Sequence, residues 1–187
     1  MPGSYYTNPV EFLINTLFGI YIMLVMLRFL LQWVRADFYN PVSQFLVKAT
    51  NPPLQPLRRM IPGRGRIDIA AIVLMLVLQM IATLLIMVIR GFGVNVIALI
   101  IISFAQLLEL LLNVFMFAII IQVIISWINP GSYNPALSLL YSLTEPLLRP
   151  ARRMIPPISG LDLSPLIVIV AIQLLKMILI PPITHLF

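Results

Sequence analysis

Residues 50–62 read TNPPLQPLRRMIP and residues 144–156 read TEPLLRPARRMIP. The offset between them is 144 − 50 = 94, and the same gapless shift aligns much more of the chain. Trp33, Tyr39, Asn40 and Pro41 fall on Trp127, Tyr133, Asn134 and Pro135. Pro56, Arg58, Arg59 and Pro62 meet Pro150, Arg152, Arg153 and Pro156, and further on Asp68 meets Asp162 and Gln79 meets Gln173. Chance similarity between hydrophobic segments pairs Leu with Ile. Here the matches are Trp, Pro, Arg, Asn and Asp, so the chain is an internal duplication with units at 1–92 and 93–187.

Composition places both units in a bilayer. Hydrophobic residues make up 61% of the 187 positions and charged residues 10%, with a mean hydropathy of +1.06. That leaves too little polar surface to clothe a soluble globule. Apolar runs long enough to cross about 30 Å of hydrocarbon are expected at Val10 to Gln32, Ile67 to Ile89, Val94 to Ile128 and about Leu163 to Leu186. The third is overlong; it must tilt, project, or begin with a separate interfacial turn before Ser103, and a five-span reading is the minority alternative. The opening MPGSYYTNP has no basic region and no small-residue cleavage motif, so the first span reads as permanent. The expected fold is an all-α membrane protein in which transmembrane helix, amphipathic proline-rich loop and transmembrane helix occur twice, giving about four spans. Two spans per unit make the repeats parallel, with any symmetry axis along the membrane normal.

Nine of the 12 Lys and Arg residues fall in the two long loops: Arg35, Lys48, Arg58, Arg59, Arg64, Arg66, Arg149, Arg152 and Arg153. The short link between the second and third spans holds only Arg90. The positive-inside rule then puts both loops in the cytoplasm and both termini outside, in a multi-pass membrane protein.

Each loop carries structure of its own. Val42, Phe45, Leu46 and Ala49 recur at helical spacing, as do Ala136, Leu139, Leu140 and Leu143. Asn40-Pro41 and Asn134-Pro135 combine an N-cap with proline at the first helical position. These helices are expected to stop before Pro52 and Pro146 and to be followed by a second short segment, because proline disfavours helical geometry in the residue ahead of it. Asp68 and Asp162 are placed to cap the return spans. The plainest role for such a loop is an interfacial collar, with Arg58, Arg59, Arg152 and Arg153 on anionic lipid headgroups. The functional role is a docking surface for a membrane-protein partner or a second copy. Nucleic acid is not expected, since Tyr39 and Tyr133 are not interleaved with the basic residues.

Within the spans, Arg28 lies near the loop edge and is expected to snorkel. Glu109 and Lys176 fall at similar depths, as an interhelical ion pair or as a cation or proton site. Gln79 and Gln173 hold equivalent mid-membrane positions and are expected to approach a shared axis. Cysteine is absent and His185 is the one histidine. No metal or haem site, disulfide, catalytic triad, carboxylate pair or phosphate loop can be assembled, so neither a cofactor nor an enzymatic activity is expected.

The pattern W-x5-Y-N-P, then T-x-P-x3-P-x-R-R-M-I-P, then an Asp opening the next span, present twice, resembles the YggT family of bacterial membrane proteins, with YlmG relatives in cyanobacteria and plastids. The second copy departs slightly, with Ala151 between Pro150 and Arg152. The resemblance covers essentially the whole chain. It implies a bacterial inner-membrane protein and links to recovery from osmotic shock with potassium uptake, to envelope and division gene neighbourhoods, to nucleoid distribution or, in photosynthetic lineages, to cytochrome-complex maturation, the last fitting poorly with a chain lacking cysteine. It carries over no catalytic or ligand residue. Two expectations follow: an assembly or regulatory factor acting through the paired loops, and an ion (potassium or proton) transport component using Glu109, Lys176, Gln79 and Gln173.

Overall fold

A computed structural model of the chain describes residues 4–61, 63, 67–128, 134–154 and 162–184. The six helices there are α1 (Ser4–Trp33), α2 (Pro41–Met60), α3 (Ile69–Ile89), α4 (Val96–Ile128), α5 (Pro135–Met154) and α6 (Ser164–Thr184). Of these, α1, α3, α4 and α6 are long and apolar enough to cross a membrane, which makes this an all-helical membrane protein with four spans among the described residues. α4 is one continuous helix from Val96, without a separate turn before Ser103. Its 33 residues make a rod of roughly 50 Å.

Helix ends follow local chemistry. α1 closes with Arg35 in the left-handed region (φ 58°) and the Ala36 N–H donating to the Leu31 carbonyl, the Schellman pattern. Asn40 and Asn134 accept from the Val42 and Ala136 amides, and Asn95 does the same for Ile97 at the start of α4. Beyond α3 the chain turns through Gly91 at φ +70°.

One expectation fails in both repeats: neither loop helix stops at its prolines. α2 runs unbroken through Pro52, Pro53 and Pro56, and α5 through Pro146 and Pro150. A proline inside a helix removes an N–H and frees the carbonyl four residues earlier. Pro53 thereby frees the Ala49 carbonyl, and the Tyr21 hydroxyl of α1 lies 3.4 Å from it. Arg28 of α1 donates to the Val47 carbonyl at 3.3 Å and to the Thr50 hydroxyl at 2.7 Å, while Thr50 donates to Leu46 at 2.6 Å. Arg28 is therefore buried against α2 instead of snorkelling. At the repeat-equivalent positions Gln122 meets Thr144, whereas Leu147 replaces Pro53 and Phe115 replaces Tyr21. The proline and the hydroxyl facing its freed carbonyl disappear together.

Packing repeats as well. α1 lies on α2 and α3 as α4 lies on α5 and α6. Leu54 and Leu148, 94 positions apart, are both fully buried, and with Thr50 and Thr144 they fix which face of each amphipathic helix turns inward. Val42 and Phe45, expected on that face, are exposed, so only Leu46 of the apolar group points fully into the core on α2. Between the units α3 packs on α4, but α6 does not reach α1, so among the described residues the repeats do not close a two-fold arrangement. Leu54→Ala is predicted to cost about 3 kcal/mol and to release α2, seen as a lowered unfolding temperature in detergent and faster proteolysis after Met60.

Candidate functional site

At the loop end of the bundle, the basic motif is built into the fold. Arg58 at the end of α2 grips the Asp68 carboxylate with Nε at 3.1 Å and with one terminal nitrogen, and Asp68 accepts from the Ala71 amide at 3.3 Å. In the second unit Arg152 Nε lies 2.9 Å from Asp162, which accepts from the Ser164 amide at 2.9 Å. Arg152 also reaches Glu145 at 3.0 Å, a residue whose counterpart is Asn51. Each aspartate thus caps a return span and anchors the end of the preceding amphipathic helix. Spacing alone suggested the cap; the Arg–Asp clamp was missed, although the matched recurrence of both residues at one offset contained the signal.

A second contact sets the two amphipathic helices side by side. Asn40 uses its amide oxygen on its own helix and its NH₂ on the other, donating 2.7 Å to the Pro135 carbonyl. Lys48, Arg59, Arg149 and Arg153 are exposed, as are Pro41, Pro56, Asn134, Pro135 and Pro150. Pro62 and Pro156 lie outside the described residues.

The intramembrane residues sort differently from expectation. Lys176 lies 3.4 Å from Glu109 and donates to Asn113 at 2.6 Å, joining α6 to α4. Gln79 does not approach Gln173. It donates to Gln106 of α4 at 2.8 Å, where Thr83 also donates at 2.9 Å, and Gln173 is exposed on α6. The two-fold axis that would unite the glutamines requires α6 on α1, a contact that is absent among the described residues. Gln79, Gln106, Glu109, Asn113 and Asn15 line one cavity of about 360 Å³ between α1, α3 and α4. Asn15 and Glu109 are repeat equivalents facing the same space. At the opposite end of the bundle Glu11 holds Arg90 through two bonds of 3.0 and 2.7 Å, tying the ends of α1 and α3.

The CCB3/YggT family profile matches residues 7–89 and 97–183, one segment on each unit. The chain belongs to the CCB3/YggT family. An uncharacterised protein of Pseudomonas aeruginosa is 48% identical over 171 residues, covering 90% of this chain and 87% of that one. One from Vibrio alginolyticus is 42% identical over 168 residues, covering 89% and 90%. YggT of Escherichia coli K12 is 37% identical over 173 residues, covering 91% and 88%. None of these relatives carries an enzyme-related name. No solved structure matches the chain. The two matched segments of this YggT-family protein coincide with the two clamped units.

The clamps differ in depth, since Asp68 has 4% of its side chain exposed and Asp162 has 34%. Asp68→Ala removes a buried carboxylate that caps α3 and holds a partly exposed Arg58, and is predicted to destabilise by about 2 kcal/mol, whereas Asp162→Ala costs about 1 kcal/mol or less. Burial by itself pushes the Asp162 carboxyl up, but hydrogen bonds from Ser164 and Arg152 outweigh it and hold the group below the usual aspartate range. A carboxylate depressed by folding stabilises above its unfolded pKa and loses that contribution as pH falls through its folded one. Unfolding temperatures of the protein and its Asp162→Asn variant should differ by a constant amount from neutral pH to about pH 4 and converge below it.

Proposed function

We propose that this YggT-family protein is a non-enzymatic assembly or regulatory factor of a bacterial inner membrane, linked to envelope or osmotic-stress homeostasis and acting through the basic faces of α2 and α5. In this reading both amphipathic helices face the cytoplasm and both termini face the periplasm, as the excess of Lys and Arg at that end favours. The observation that carries it is the bond from Asn40 to Pro135. It joins two clamped helices on which Lys48, Arg59, Arg149 and Arg153 are exposed, a cationic platform suited to an acidic partner or anionic headgroups. Arg58 and Arg152 are committed to the clamps, so their removal tests the fold. Arg59→Ala with Arg153→Ala tests the platform: the double variant should insert and unfold as the parent does, within about 1 kcal/mol, yet fail to restore growth after osmotic upshift in a strain lacking the gene. Full complementation would refute the platform.

The membrane partner in this proposal is a second copy, seated on α6. Only 6% of its most apolar window is buried, against 22 to 28% for the other spans. Its bare face includes the positions that α4 covers on α3: Thr83 is 6% exposed and its counterpart Met177 is 64% exposed. An amide in hydrocarbon needs a partner. In a symmetric parallel dimer Gln173 meets its own copy at the same depth, offering both donor and acceptor. In a head-to-tail array it would meet the counterpart of Gln106, which is Phe12 and has no such group. Because the chain has no cysteine, Gln173→Cys should yield an oxidant-dependent dimer in native membranes while Ile172→Cys, on the buried face, should not; equal yields would remove the dimer.

The cavity between α1, α3 and α4 favours a second reading, ion or proton transport. The Lys176 ammonium already stands beside Glu109 where a transported cation would sit, which supports the assembly reading over it. Potassium or proton flux through liposomes that changes in Glu109→Gln would reverse that preference.

A further inference from the structure

Between the end of α1 and the inward face of α2 lies a cavity of about 340 Å³ with three arginines, Arg28, Arg35 and Arg58, and Ser43 on its wall. Arg58 is neutralised by Asp68. Arg28 is not: it is 8% exposed, it hydrogen-bonds only the neutral Val47 carbonyl and Thr50 hydroxyl, and no carboxylate stands within salt-bridge distance. Asp68 acts on it only from beyond contact and is already paired with Arg58, and a buried cation without a contacting counter-charge is costly. Ser43, 7% exposed, presents a buried hydroxyl to the same cavity, with no hydrogen-bond partner.

Arg35 adds a third, separate sign. It occupies the left-handed region (φ 58°) at the end of α1, where glycine or asparagine is the unstrained choice. An arginine is tolerated there when its side chain has a use.

Comparison of the two units separates scaffold from site. The residues that hold the fold recur at the 94-residue offset: Thr50 with Thr144, Leu54 with Leu148, Arg58 with Arg152 and Asp68 with Asp162. The three features just described do not. Arg28, Arg35 and Ser43 are replaced by Gln122, Asn129 and Leu137. Gln122 still bonds Thr144, so the packing role of Arg28 needs no charge, and Leu137 is buried as core. What the first unit adds over the second is a buried cation with no contacting carboxylate, an exposed cation and one idle donor around one cavity.

We propose that this cavity binds the phosphate of an anionic ligand, with a phospholipid headgroup as occupant. Arg28 and Arg35 supply charge-assisted hydrogen bonds to the anionic oxygens and Ser43 donates to a third. The cavity sits at the end of a spanning helix, the depth at which lipid phosphates lie, and its remaining wall includes Leu31 and Phe38, which suits a glycerol backbone better than a free ion.

The test uses the full chain purified in detergent, titrated with phosphatidylglycerol, phosphatidylcholine and inorganic phosphate and read by native mass spectrometry alongside unfolding temperature. Phosphatidylglycerol should bind saturably and in preference to phosphatidylcholine. Arg35→Asn and Ser43→Leu, each borrowed from the second unit, should each weaken it by about tenfold or more, the loss of one charge-assisted or buried hydrogen bond. Arg35→Asn relieves the left-handed backbone, so it should fold at least as stably as the parent while binding worse, a divergence that a purely structural arginine would not give. Inorganic phosphate that binds with the same dependence and competes with the lipid would establish the site with a free anion as its source. Binding indifferent to Arg35→Asn and Ser43→Leu, or no binding of either phosphate ligand, would overturn the proposal.

Discussion

A proline within a helix takes away one amide donor and leaves one carbonyl searching for another, and in a bilayer an unsatisfied carbonyl is costly. This chain puts five prolines after the first turn of its two amphipathic helices and keeps both helices whole. α2 lies against a span that presents donors, one of them at the Ala49 carbonyl that Pro53 frees, and α5 is packed on α4 and α6. Tyr21 and Arg28 face α2 at the carbonyls of Ala49 and Val47 and at Thr50. Once α2 is fixed along α1 by these groups, Leu54 has its pocket, Arg58 falls beside Asp68, and the start of α3 is determined. In the second unit the polar contact between span and amphipathic helix runs the other way, with Thr144 donating to the Gln122 amide oxygen, and α5 carries fewer prolines.

Much of this was legible in the residues. The duplication, the four spans, the caps at Asn40 and Asn134 and the aspartates opening α3 and α6 follow from spacing and from residue types with one strong local preference. What failed to show were interactions set by tertiary context. A proline signals a helix end when the chain is considered alone; in the fold Tyr21, 32 positions before Pro53, stands at the carbonyl that Pro53 frees, and α5 continues through Pro146 and Pro150 while packed on α4 and α6. The pairing of Arg58 with Asp68 and the burial of Arg28 likewise depend on the fold-back of α2. Gln79 and Gln173 are identical in sequence and different in surroundings because α4 follows α3 through a short link and covers Gln79, while among the described residues the Gln173 face of α6, which packs on α4 and α5, is left open.

The divergence between the units carries the functional argument. Both retain the clamp, the inward threonine and the buried leucine, the minimum needed to hold an amphipathic helix on a pair of spans. Only the first has the Arg28, Arg35 and Ser43 set, and only the second leaves a span with an open face. A duplicated gene thus supplies one framework twice, with headgroup recognition proposed for the first unit and association within the membrane proposed for the second. The outward cations Lys48, Arg59, Arg149 and Arg153 are shared between the two.

The central claim is that donors from α1 hold α2 in place through the Arg28–Thr50 contact. A double-mutant cycle with Arg28→Met and Thr50→Val, measured by reversible unfolding in detergent, tests it directly. The account predicts a coupling of about 1 to 3 kcal/mol between the two positions. Additive effects, with a coupling near zero, would contradict it and place the stability of α2 in its apolar packing alone.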